Sequence, residues 1–188
     1  MVQAGTTLVN PNLASKEELQ AMPNVDAGTA QAIIDGRPYL SAADLDAALA
    51  GAMDDGQREA LYAKLFRPIN LNNASEAEIL LIPAMSKKMA HEFEEYRPYT
   101  SMEQFRREIG KYVDEEEVAR LEQYVFIPVD LNAASEESIM TIPGMSKRMA
   151  HEFEEYRPYR DMEQFRREIG KYVDDDEVAR LESYVTLN

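Results

Sequence analysis

The chain contains no cysteine, so disulfides, thiolate metal sites and cysteine nucleophiles are all excluded from its chemistry. That absence leaves the redox compartment open. No apolar run approaches the roughly eighteen residues a membrane-spanning helix needs. Positive charge is also scarce: 20 Lys and Arg face 35 Asp and Glu, a formal net charge of −15. An average surface of that sign repels phosphate backbones and anionic lipid, and keeps the chain soluble. Nucleic-acid binding would therefore have to rest on a local basic patch. The opening stretch Met1 to Gly5 has neither a charged n-region nor an apolar h-region, so a signal peptide is not expected in the chain as written.

What is present is a repeat. Pro68-Ile69-Asn70-Leu71-Asn72 returns sixty positions later as Pro128-Val129-Asp130-Leu131-Asn132. Met89 to Arg120 realigns on Met149 to Arg180 with only Thr100/Arg160, Ser101/Asp161, Glu115/Asp175 and Glu116/Asp176 differing. A diverged first copy fits the same register: Ser15, Pro23, Pro38, Tyr39, Asp54 and Leu61 answer to Ser75, Pro83, Pro98, Tyr99, Asp114 and Leu121. The expected division is 1–67, 68–127 and 128–188, giving repeats one, two and three. Units this short sit near the lower limit for independent folding, and unpadded linkers such as Phe66-Arg67-Pro68 predict a stiff, rod-like array that shares surfaces.

Each repeat reads as four short helices, giving an all-α fold. In repeat two, Ser75 with Glu78 forms a capping-box start, and Pro83 ends that helix within two turns. Ser86 caps a second helix whose Met89, Phe93 and Tyr96 share one face; Pro98 closes it. Ser101 opens a third helix with Met102, Phe105 and Ile109 inward, and Gly110 breaks it. Asp114 with Glu117 predicts another capping box, ahead of a helix burying Val118, Leu121 and Val125. No stretch alternates with the period of two that marks a strand.

The frame Ile69-Asn70-Leu71-Asn72-Asn73-Ala74-Ser75, Ile82-Pro83, Ala90 and Arg97-Pro98-Tyr99 resembles the ComEA-type helix-hairpin-helix family. It recurs from Val129 to Tyr159 and more loosely from Val9 to Tyr39, and a degenerate second hairpin surrounds Ile109 to Val113. The resemblance implies DNA binding, with the backbone of a Gly-hydrophobic-Gly tip holding a phosphate at a helix start and loop carbonyls holding a monovalent cation. It also implies a periplasmic or extracellular location. No other cofactor is implied.

The tips depart from that pattern. They read Asn24-Val25-Asp26, Ala84-Met85-Ser86 and Gly144-Met145-Ser146, so none keeps both glycines, and the first places a carboxylate where phosphate would sit. Lys87-Lys88 and Lys147-Arg148 come directly after the second and third tips, in a helical first turn where cations oppose the dipole. The candidate phosphate contacts are thus Ala84, Met85, Ser86, Lys87, Lys88, Gly144, Met145, Ser146, Lys147 and Arg148. Pairing of those cations with Glu92, Glu152 or neighbouring acids is the competing expectation.

Other features carry less. His91 and Glu95, four apart, lack the spacing of a zincin and read as a surface ion pair. The acidic runs 114–117 and 174–177 lack the alternating oxygens and central glycine of an EF-hand loop, and acids suit a helix N-terminus without any ligand. Met85, Met89, Met102, Met145, Met149 and Met162 read as gap-filling core, with the two tip methionines half exposed. Tyr96, Tyr99, Tyr112 and Tyr124 with Arg97, Arg106 and Arg107 offer either an interface-like surface or half-buried core. No catalytic triad, phosphate loop or carboxylate pair stands out. The expectation is a non-catalytic binding or scaffold protein acting through protein partners or self-association, with DNA binding through 84–88 and 144–148 as the alternative and cation binding by the acidic runs as a third.

Overall fold

A computed structural model describes residues 8–188; Met1 to Gly5, where the signal-peptide expectation falls, lie outside the described residues. The chain divides into two compact units, one running to Ile127 and the other from Pro128 to Asn188.

The first unit carries α1 (Lys16–Gln20), α2 (Ala27–Asp35), α3 (Ala42–Leu49) and α4 (Asp55–Tyr62). It continues with β1 (Ile69–Asn70), α5 (Glu76–Ile79), α6 (Lys87–Glu95), α7 (Met102–Ile109), α8 (Glu115–Glu122) and β2 (Val125–Phe126). The second unit carries β3 (Val129–Asp130), α9 (Glu136–Ile139), α10 (Lys147–Glu155), α11 (Met162–Ile169), α12 (Asp175–Glu182) and β4 (Val185–Thr186). The fold is mostly helical.

Side-chain caps start these short helices. Ser15 with Glu18 and Ser75 with Glu78 form complete capping boxes. The box expected at Asp114 forms only by half. Asp114 accepts the Glu117 N–H at 2.9 Å, but the Glu117 carboxylate turns to grip Arg120 through two contacts of 2.7 Å. A long guanidinium one turn on outcompetes the nearby backbone amide for a charged acceptor.

Strand structure is small but real, where the sequence predicted none. β1 pairs in parallel with β2, β3 with β4, and Val9 bridges Leu65 in the same sense. Each pairing ties the start of a repeat to its own end. Two-residue strands are too short to show a period, so hydropathy could not reveal them.

The signature residues explain how each repeat closes. Arg97 donates to the carbonyls of Leu71 and Ala74, both at 2.6 Å, while the Asn72 side chain exchanges two hydrogen bonds with the Tyr99 backbone. Arg37 with Asn12, and Arg157 with Asn132, do the same. The Arg-Pro peptide between them is cis in all three repeats.

The core of each repeat gathers the apolar helix faces, for example Ile79, Ala90, Phe93, Phe105, Ile109 and Leu121 in repeat two. Phe93 and Phe105 meet edge to face at 5.3 Å. Within the first unit this core is continuous across the 67/68 boundary. Phe66 packs edge-on against Tyr124, with ring centroids 5.1 Å apart. Arg67 is 1 % exposed, donates to the carbonyls of Tyr39 and Leu40, and lies 5.3 Å from the Phe126 ring centre.

Candidate functional site

The first residue of every hairpin tip adopts left-handed geometry: φ is 61° at Asn24, 59° at Ala84 and 75° at Gly144. Only Gly144 does so without a steric penalty from its own Cβ. The turn therefore survives in repeats one and two although its glycine does not, and the Met85 and Met145 amides close it onto Ile82 and Ile142 at 3.0 Å.

The helix start behind each turn differs from a bare phosphate cradle. Ser86 caps α6 by accepting the Met89 N–H at 3.1 Å, and Ser146 caps α10 from Met149 at 3.1 Å. In repeat one the Asp26 carboxylate takes the Thr29 N–H at 2.7 Å, and such backbone hydrogen bonds hold its pKa below the ordinary value. That helix start carries its own anion. Glu59, on α4, reaches the second tip and accepts the Ala84 N–H at 3.3 Å. A groove of about 380 Å³ runs beside this contact, between Asp46, Asp55 and Tyr62 on one side and Leu80, Leu81 and Met85 on the other.

The four hairpin cations Lys87, Lys88, Lys147 and Arg148 are exposed and form no ion pair among the described residues. Their expected partners are elsewhere. Glu92 is only 7 % exposed and Glu152 8 %, both turned into the fold. Met85 and Met145 are half-buried, as are Met89, Met102, Met149 and Met162.

His91 stands 3.9 Å from Glu95 and His151 3.8 Å from Glu155, on open helix surface. The acidic runs begin α8 and α12, with Asp114 and Asp174 as caps and Glu117 and Glu177 engaged by Arg120 and Arg180. Among the described residues no three His, Asp or Glu side chains converge as metal ligands. The second unit has a shallow groove of about 510 Å³, flanked by Arg157, Arg160 and Arg167 but also by Asp161 and Glu163.

The tyrosine–arginine set divides. Tyr99 and Tyr124 are core; Tyr96 and Tyr112 join a polar cluster that sequence reasoning did not assemble. The Tyr96 and Tyr112 hydroxyls lie 2.9 Å apart. The Lys111 ammonium sits 4.9 Å from the Tyr96 ring centre and pairs with Glu108, which Arg107 also holds at 2.7 Å. These cations keep the Glu108 carboxyl below its ordinary pKa, with Lys111 the larger influence. The bonded Tyr96 hydroxyl first, and then the nearby Glu92 carboxylate, push the Tyr112 phenol well above its ordinary value. Beneath lie two buried atoms without a hydrogen-bond partner, Glu92 Oε2 and the Tyr99 hydroxyl. Repeat three reproduces the whole set with Glu152, Tyr156, Tyr159, Glu168, Lys171 and Tyr172.

Repeat one keeps only its tyrosine, Tyr39. Ala32, Gly36, Ala48, Gly51 and Ala52 stand where repeat two has Glu92, Tyr96, Glu108, Lys111 and Tyr112. There the Tyr39 hydroxyl donates to the Ile33 carbonyl at 3.0 Å. It can do so because position 36 is glycine: a Cβ there would stand 2.5 Å from that hydroxyl. A tyrosine at the matching position 96 closes off the same arrangement, which accounts for the unpartnered Tyr99 hydroxyl. The concerted loss of five side chains was the signal in the sequence that would have found this cluster.

No helix among the described residues is long and apolar enough to cross a membrane. No family model, curated protein or solved structure matches the chain.

Proposed function

We propose that the chain is a non-catalytic helix-hairpin-helix protein that works as a binding or scaffold module for other proteins, presenting one face twice through repeats two and three. The observation that carries this reading is the state of the hairpin tips. Asp26 places a carboxylate at the first and Glu59 accepts an amide of the second, while Ser86 and Ser146 cap the helices behind the second and third. A phosphate approaching the first two tips would meet negative charge, within a chain whose net charge is already −15. Exposed Tyr112 and Arg107, repeated as Tyr172 and Arg167, are residue types that protein interfaces favour.

DNA binding is the second reading, favoured by the unpaired state of Lys87, Lys88, Lys147 and Arg148 and by the left-handed tips that precede them. Fluorescence anisotropy of labelled double- and single-stranded DNA, at low and physiological salt, separates the two. The protein-binding reading expects no uptake at physiological salt. Salt-sensitive binding that vanishes in the Lys87→Glu, Lys88→Glu, Lys147→Glu, Arg148→Glu variant would replace it with the DNA reading.

A further inference from the structure

The polar cluster of repeats two and three is costly to keep. A carboxylate oxygen and a phenol, both buried and both without a hydrogen-bond partner, oppose folding rather than drive it. Repeat one forms the same four helices with alanine and glycine at five of these positions, so the architecture does not require the cluster. Folding therefore does not account for its presence, in duplicate, in the other two.

Its chemistry is that of cation recognition. An aromatic ring face and carboxylates together suit an ammonium or guanidinium group. The chain's own Lys111 already occupies the ring face of Tyr96 and the Glu108 carboxylate, and its side chain is 52 % exposed, so it can leave. Tyr112, 40 % exposed, forms the rim, and Glu92 lies beneath it with one oxygen unsatisfied. The other cations at this surface, Arg106 and Arg107, are committed to Glu122 and Glu108.

We propose that repeats two and three each hold a receiving site for a lysine or arginine side chain of a basic partner polypeptide, in which Lys111 and Lys171 stand in for the partner's cation until it arrives. The inference rests on the protein-binding reading and names the partner's chemistry. The incoming side chain displaces the lysine from the tyrosine ring and, as the Tyr112 or Tyr172 rim opens, reaches the buried Glu92 or Glu152. A net charge of −15 draws such a partner in, and two sites in one chain favour a partner with repeated basic residues.

The test uses the full chain and a fluorescently labelled lysine-rich peptide, followed by anisotropy at physiological salt. Glu92→Ala with Glu152→Ala installs the residue repeat one carries, and should weaken binding about tenfold or more while leaving the melting temperature undiminished. A charge-matched control, Glu115→Gln with Asp175→Asn, should bind like the parent. Lys111→Ala with Lys171→Ala should bind more tightly than Lys16→Ala with Lys64→Ala, which removes the same charge elsewhere; this pair stands even if the glutamate variant fails to fold. Equal weakening in the charge-matched control, no gain on removing Lys111 and Lys171, or displacement of the peptide by an equal charge of spermidine would overturn the proposal. A chain that binds neither this peptide nor DNA, yet cross-links to a partner through repeats two and three, would sink this inference and leave the scaffold reading standing.

Discussion

Asn72 and Tyr99, 27 residues apart, exchange two hydrogen bonds: the Asn72 amide donates to the Tyr99 carbonyl at 2.9 Å, and the Tyr99 N–H donates back to Asn72 Oδ1 at 2.7 Å. One side chain thus acts as a strand partner for a piece of backbone that has none. Asn12 with Tyr39 and Asn132 with Tyr159 repeat the exchange. The asparagine and arginine of the frame are consequently committed to the repeat's own backbone. They close the repeat on itself.

Replacing Asn132 by alanine strands a donor and an acceptor of the half-buried Tyr159 backbone. Urea denaturation followed by tyrosine fluorescence should show the second unit destabilised by about 1–3 kcal/mol. Asn132→Asp keeps the acceptor and loses the donor, so it should fall between. An unchanged midpoint in both variants would refute this role.

The tip geometry predicts substitutions of opposite sign. Ala84 bears a steric cost at its φ of 59°, so Ala84→Gly should stabilise by about 1 kcal/mol. Gly144→Ala, at φ 75°, should destabilise by about 1–2 kcal/mol. If chemical denaturation moved both variants in the same direction, the left-handed assignment of the tips would be wrong.

Arg67 holds the junction of repeats one and two through the Tyr39, Leu40 and Pro68 carbonyls. Arg67→Ala should destabilise the first unit by about 2–4 kcal/mol, because it opens a cavity in the core and takes the donors from the Leu40 and Pro68 carbonyls, while the Tyr39 carbonyl keeps Asn12. Amide exchange around Phe66 and Tyr124 should accelerate in the variant and stay unchanged around Tyr184.

Glu108 and Glu168 tie stability to pH. Each has a folded pKa below the ordinary 4.5, held there first by its lysine. The ionised form is favoured by folding, so this contribution is complete above pH 4.5 and is lost as pH falls through 4.5 and past the lowered value. Glu108→Gln with Glu168→Gln should lower the melting temperature at neutral pH and flatten its decline in acid. A parallel decline in parent and variant would contradict it.

Much of the fold was legible in the sequence. Caps at Ser75, Ser86 and Ser101 and the break at Gly110 stand where spacing placed them, because capping and helix breaking are local events. The parallel strand pairs were hidden because they join residues 56 apart through only two positions each. Glu92 read as a partner for the hairpin cations and Arg67 as part of a linker, because helical period and linker composition say nothing of what the neighbouring repeat or turn lays over a residue. Glu92 is covered by a turn carrying Tyr112, and Arg67 by Phe126. The same limit applies to Glu59, whose reach to the Ala84 amide depends on how repeat two sits in the first unit.

On the proposed reading, the hairpin tips are not phosphate cradles and the repeats recognise protein. The most direct test is an amide-resolved NMR titration of the full chain with duplex DNA at physiological salt, watching Ala84 to Lys88 and Gly144 to Arg148. The account predicts that these amide resonances stay in place as duplex is added. Saturable shifts confined to those two segments, abolished by charge reversal at Lys87, Lys88, Lys147 and Arg148, would contradict it and make DNA the ligand.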